Sequence, residues 1–165
     1  MKQQKIFIRL MMPVVCCLML NLTSCSQIGD MPQFKITQAN GKIFKASELK
    51  TSKPTLLIYF SPECDHCQVF MKEFFKQANS FSKSNVLMIT FLPADRVVTF
   101  VKEYPVGKYP NITVGTEGMG FLVRDHLGIQ NMPFAALYDK KNKLINKYER
   151  DIPLDVILAK IKTME

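Results

Sequence analysis

The chain lacks a second Cys-x-x-Cys and holds only two histidines, His66 and His126. A structural zinc site normally takes four sulfur or nitrogen ligands at short spacings, so the ligand count argues against one. A copper-chaperone arrangement could recruit His126 to the thiols, but His126 falls in a predicted helix before a turn and reads as a surface histidine. No histidine directly follows Cys67; Gln68 stands there, which excludes a haem-attachment motif. The seven glycines match no phosphate-cradling spacing, and Gly115, Gly118 and Gly120 read as turn chemistry. Internal repeats and low-complexity tracts are missing too. So is acid from the first 25 residues, which carry Lys2, Lys5 and Arg9.

Those basic residues precede an apolar run, Met11 to Leu22, too short and wrongly flanked for a stable membrane span. The run ends in Leu22-Thr23-Ser24-Cys25, which resembles a bacterial lipobox. The implied division is a signal peptide over residues 1–24, a lipidated tether over 25–33 and one domain over 34–165. Ser26 hints at the outer membrane of a diderm bacterium. Removal of Cys16 and Cys17 and lipidation of Cys25 leave a single thiol pair, Cys64 and Cys67, out of five cysteines. Of 22 basic residues, 19 remain against 14 acidic ones, a mild excess of +5. Its densest cluster, Lys140, Lys141 and Lys143, reads as a solvated turn, and no nucleic-acid partner is expected.

What the chain has is Ser61-Pro62-Glu63-Cys64-Asp65-His66-Cys67. The run before it, Thr55 to Phe60, is short, apolar and rich in strand formers. After it Cys67, Phe70, Met71, Phe74, Phe75 and Ala78 recur at helical spacing. Cys64 is thus predicted at the first turn of a helix, where free N–H groups and the dipole favour a thiolate. Cys67, one turn on, lies close enough to close a disulfide with it. The ring is too small to stabilise much, so the pair reads as a redox site.

Elsewhere, Phe34–Ile36 and Ile43–Lys45 are predicted to form a hairpin whose positive φ angles come from Asn40-Gly41. Strands are predicted at Asn85–Phe91, Ile112–Val114, Phe134–Tyr138 and Leu144–Tyr148. Helices are predicted after Asp95, over Phe121–Leu127 and after Pro153. This order gives an α/β sandwich around a mixed sheet.

The chain resembles the thioredoxin fold from about Phe34 onward. The features that carry the resemblance are Cys64-Asp65-His66-Cys67 after a strand, Gly128-Ile129-Gln130-Asn131-Met132-Pro133 before the next, and the last strand and helix. The leading hairpin and a central insertion between Leu92 and Gly120 are similar to membrane-tethered thiol–disulfide oxidoreductases of the TlpA/ResA type.

The resemblance implies a cis bond before Pro133, beside Cys64, leaving the Met132 backbone free to pair with a bound substrate strand. It also implies that His66 stabilises the Cys64 thiolate, while Asp65 opposes it by charge. The chain departs from thioredoxins in having Ile58 where they bury an acid, and in having no tryptophan. Glu63 and water are left as candidates for the Cys67 proton.

The expected function is disulfide exchange with protein thiols and disulfides, and with an upstream redox partner, outside the cytoplasm. Neither cofactor nor metal is expected. Ser61, three residues before Cys64, keeps a peroxiredoxin-like thiol peroxidase as an alternative, although Leu57 stands where those enzymes carry a proline. A redox-inert peptide-binding domain is the non-enzymatic alternative.

Overall fold

The computed structural model describes residues 29–164. The lipobox, the leader and Cys25 lie outside them. A seven-stranded mixed sheet runs in the order β2-β1-β5-β4-β3-β6-β7. Its centre is parallel: β3 (Thr55–Tyr59) pairs with β4 (Asn85–Thr90), and β4 with β5 (Ile112–Thr116). β6 (Phe134–Tyr138) lies antiparallel to β3 and to β7 (Leu144–Glu149). On the far edge the hairpin of β1 (Lys35–Thr37) and β2 (Ile43–Lys45) joins β5 through Thr37 and Thr116. The mixed sheet and leading hairpin are as the sequence pattern predicts, and the thioredoxin-like architecture with its central insertion is as the resemblance implies.

Every residue of β3, β4 and β6 is buried, as befits central strands covered on both faces. Side chains alternate between two cores. Leu56 and Ile58 face one core with α1 (Asp65–Lys76), α2 (Ala94–Glu103) and α4 (Leu154–Thr163). Leu57 and Tyr59 face the other, with α3 (Leu122–Leu127) and the segment around Met31 and Phe34. The first core is aromatic: Phe100 packs on Phe60 with ring centroids 4.7 Å apart and on Tyr104 at 4.6 Å. Phe60 directly precedes the motif, so this packing fixes where the motif loop begins. Phe60 N–H also donates to the Ile89 carbonyl at 3.0 Å.

Four details differ from the sequence expectation. The folded body begins earlier than residue 34, because Met31 is buried in the second core and Asp30 bridges to Lys143. Only Gly41, at φ 79°, takes a positive angle in the first hairpin; Asn40 does not. The turn closes from Gly41 N–H to the Gln38 carbonyl as a three-residue loop. The β6–β7 turn repeats this geometry with Asn142 at φ 61°. Gly115 is no turn residue: it sits inside β5, where a Cβ would meet Ile36 Cδ1 and the Thr37 carbonyl at 2.9 Å. Its lack of a side chain lets β1 approach. Finally, α2 starts at Ala94 after Pro93, with Asp95 in its first turn rather than at its cap.

Candidate active site

Cys64 is the N-cap of α1, with extended backbone angles (φ −93°, ψ 121°). The loop that delivers it is tight. Cys64 N–H donates to the Ser61 carbonyl at 3.1 Å, and Glu63 N–H to Ser61 Oγ at 3.3 Å. The Gln68 side chain donates to the Pro62 carbonyl at 2.9 Å, tying the loop to the first turn of the helix. The free N–H groups of that turn and the helix dipole favour negative charge at this position.

The two sulfurs differ sharply. Cys64 is half-buried at the rim of the first core, whereas Cys67 is fully buried beneath it among residues including Phe70 and Phe74. Both are free thiols. Burial, above all, pushes the Cys67 thiol up to about 12. The Cys64 sulfur beside it raises it further, by hydrogen bond and by charge, while the Ser61 backbone pulls the other way.

Asp65 and His66 are both exposed on the first turn of α1. Ile58, at the place of the expected buried acid, is wholly buried in the same core as Cys67. Glu63, the carboxylate left as a candidate for the Cys67 proton, is exposed and paired with Arg96 of α2 at 3.1 Å. Glu117 accepts a hydrogen bond from the Tyr59 hydroxyl at 2.6 Å and from Val123 N–H at 2.6 Å. That network belongs to the second core, across the sheet from Cys67.

Pro133 immediately precedes Phe134, which pairs with Tyr59 at the carboxyl end of β3. Its loop therefore comes to the same end of the sheet as Cys64. The Met132–Pro133 bond is cis, and Met132 packs against both cores. His126 lies elsewhere: α3 packs on the second core through Val123 and Leu127, and His126 Nε2 sits 3.0 Å from the Asp30 carbonyl. The structure thus brings Cys64, Cys67 and Met132–Pro133 to one end and leaves His126 across the sheet. Among the described residues no group of three or more His, Cys, Asp or Glu is placed to hold a metal.

Sequence reasoning missed Arg150. Its backbone takes the left-handed region (φ 60°) at the end of β7, a conformation that costs a non-glycine residue free energy. There its N–H donates to the Pro133 carbonyl at 2.8 Å, and its guanidinium donates twice to Asn131 Oδ1, at 3.1 and 2.7 Å. Asn131 Nδ2 in turn donates to Glu149 at 2.9 Å. The Met132–Pro133 loop is clamped from both sides of its turn. An arginine directly after a strand carries no motif by which to find it.

The AhpC/TSA family model matches residues 29–157. No curated protein matches the chain. Solved structures share its fold. The exposed lipoprotein thioredoxin Etrx1 of Streptococcus pneumoniae is 21% identical with a TM-score of 0.64, over 79% of this chain and 98% of that one. DsbF from MTB, solved in mixed oxidised and reduced forms, is 21% identical with a TM-score of 0.66, over 81% and 96%. A secreted Mycobacterium tuberculosis disulfide oxidoreductase, described as homologous to E. coli DsbE, is 17% identical with a TM-score of 0.63, over 79% and 96%.

Proposed function

The chain belongs to the AhpC/TSA family, and from that premise we propose that it is a thiol–disulfide oxidoreductase acting on protein disulfides through Cys64 and Cys67. The observation that carries this reading is the asymmetry of the pair, a half-exposed sulfur at a helix start above a fully buried one.

The Cys64 thiolate attacks a sulfur of the substrate disulfide. The substrate S–S bond breaks, a Cys64–substrate S–S bond forms, and one substrate sulfur leaves as thiolate and takes a proton. With its sulfur bonded, Cys64 no longer raises the Cys67 pKa by charge; only burial still does. Cys67 then loses its proton and attacks the Cys64 sulfur, giving the Cys64–Cys67 disulfide and the second substrate thiol. Two electrons and two protons pass to the substrate, and an upstream redox partner restores the dithiol. Met132 and Pro133, held by Arg150, supply the surface against which the substrate strand lies.

The enzyme is anchored through lipid on Cys25 and works outside the cytoplasm, in the manner of TlpA/ResA-type proteins. The lipobox pattern supports this, as does the likeness in fold to an exposed lipoprotein and to a secreted oxidoreductase. No helix among the described residues is long and apolar enough to cross a membrane.

Trapping tests the thiol assignment. Cys67→Ser should accumulate mixed disulfides, because attack proceeds while resolution cannot. Cys64→Ser should trap almost nothing and lose insulin-disulfide turnover. Equal trapping by both variants overturns the roles. No trapping and no turnover favour the inert peptide-binding domain. Ser61, three residues before Cys64, favours thiol peroxidase as a second reading. Hydrogen peroxide consumption that needs Cys64, exceeding insulin turnover, would replace the first with it.

A further inference from the structure

The parallel strands give the sheet two ends. The thiols lie at the carboxyl ends of β3, β4 and β5; the amino ends of those strands and the β6–β7 turn lie at the other. The loops of this second end carry Lys50 and Lys53 before β3, Lys83 before β4 and Lys108 before β5, with Lys140 and Lys141 in the β6–β7 turn. Against these stand Glu48 and Asp139, while Asp30 and Lys143 pair with one another. The fold draws the loops together: Lys50, Lys53 and Lys108 line one shallow concavity, and Lys53 Nζ donates to the Ser82 carbonyl at 3.3 Å.

The described chain also begins here. Leu144 N–H donates to the Gly29 carbonyl at 2.6 Å, and Met31 N–H to Asn142 at 3.1 Å, so Gly29 is fixed beside the β6–β7 turn. Cys25 precedes Gly29 by four residues, and four residues span at most about 14 Å. A lipid on Cys25 therefore holds this end, not the thiol end, nearest the bilayer.

We propose that the lysine-rich end is a docking surface for anionic phospholipid headgroups, seating the domain on the membrane with Cys64 turned away from it. Headgroup phosphates would meet ammonium groups brought by four separate loops. Basic side chains near an anionic leaflet are attracted within about a Debye length, so the contact weakens with salt. The proposal rests on the anchored reading only for which end lies nearest the bilayer.

The test reconstitutes the full chain into vesicles of phosphatidylcholine, with and without phosphatidylglycerol. A membrane-impermeant amine acylating reagent and iodoacetamide then label it, read by peptide mass spectrometry. Acylation of Lys50, Lys53, Lys108 and Lys141 should slow about fivefold or more with phosphatidylglycerol, recovering in high salt. The rates of Lys45, which lies with Glu117 and Gly118 at the carboxyl end of β5, and of Cys64 alkylation should not change. Lys140→Gln combined with Lys141→Gln should weaken protection of the other lysines, with Cys64 alkylation reporting that the variant is folded.

Equal lysine rates in both vesicle types overturn the proposal, as does slowed labelling of Cys64 in place of the lysines. Equal protection by single-stranded RNA at matched phosphate overturns it in favour of nucleic acid. Flotation separates this surface from the anchor. A chain that floats only with phosphatidylglycerol refutes the anchor and supports the surface; one that floats with neither vesicle refutes both.

Discussion

The thiol end and the lysine-rich end of the sheet are built from the same kind of loop and carry opposite charge. The segments at the carboxyl ends of β3, β4 and β5, on both faces of the sheet, and those at and after the end of β7 carry Glu63, Asp65, Asp95, Glu117, Glu149 and Asp151, offset by Arg96, Arg124 and Arg150. At the other end the lysines dominate. In sequence these residues alternate along the chain and amount only to a mild basic excess. Each βα and αβ loop adds its share to one end or the other, and the parallel connections repeat the sorting. Both ends bury a titratable group, Cys67 under aromatic rings at one and Tyr138, directly before the β6–β7 turn, at the other.

The largest effect that sharpens this contrast is the pH dependence contributed by the buried thiol. Cys67 is held protonated in the folded state, up to about 12, and ionises near 9 once unfolded. Its contribution is therefore fully present below pH 9 and is lost as pH rises towards 12, because only the unfolded chain can then release the proton. Reduced protein should lose about 1.4 kcal/mol of unfolding free energy per pH unit above 9 from this group. Tyr59 and Tyr138 add to the same slope, because burial holds them protonated in the folded state while they ionise near 10 once unfolded. Urea titrations above pH 9 therefore read the thiol as the difference between parent and Cys67→Ala. Oxidised protein and Cys67→Ala should show a flatter profile. An equal slope in Cys67→Ala would mean that the buried thiol is not its source.

The next effect separates backbone from side chain at Arg150. Arg150→Ala keeps the left-handed backbone and loses the hydrogen bonds to Asn131. Arg150→Gly loses the same bonds but relaxes the backbone, and should be about 1 kcal/mol more stable than the alanine variant. If the clamp positions the Met132–Pro133 loop, both variants raise KM for a peptide disulfide to a similar extent, while the alkylation rate of Cys64 stays as in the parent. A KM that follows stability instead would reduce Arg150 to a structural part.

What the sequence disclosed follows the same division. The strand into Cys64, the helix after it and the burial of Cys67 beside Phe70 and Phe74 were legible, because apolar periodicity is local and these elements are short-range. Contacts between distant segments were not. Gly115 looks like a turn glycine until β1 is seen pressing on it, with Thr37 carbonyl and Ile36 in the space of a Cβ. Met31 looks like tether until the second core closes over it. Arg150 and Asn131 meet across the chain reversal between β6 and β7, and Lys108 meets Lys53 across two crossovers. Neither meeting leaves a periodic trace.

The smallest expected effect concerns whether exposed ion pairs help hold the fold. Glu63–Arg96 at the thiol end and Glu73–Lys76 on α1 are both exposed ion pairs, with every partner more than half accessible. Pairs of that kind contribute about 0–1 kcal/mol, because water and salt screen them and two long side chains must be ordered. Removing both, as Glu63→Gln, Arg96→Gln, Glu73→Gln and Lys76→Gln together, should lower stability by no more than about 2 kcal/mol. The loss should shrink further in high salt, where the parent pairs are themselves screened. A thermal melt at low and high ionic strength checks this. A larger, salt-independent loss would mean that the charges support the core. A small, salt-sensitive loss means that these exposed pairs contribute little to folding, as solvent screening of both partners requires.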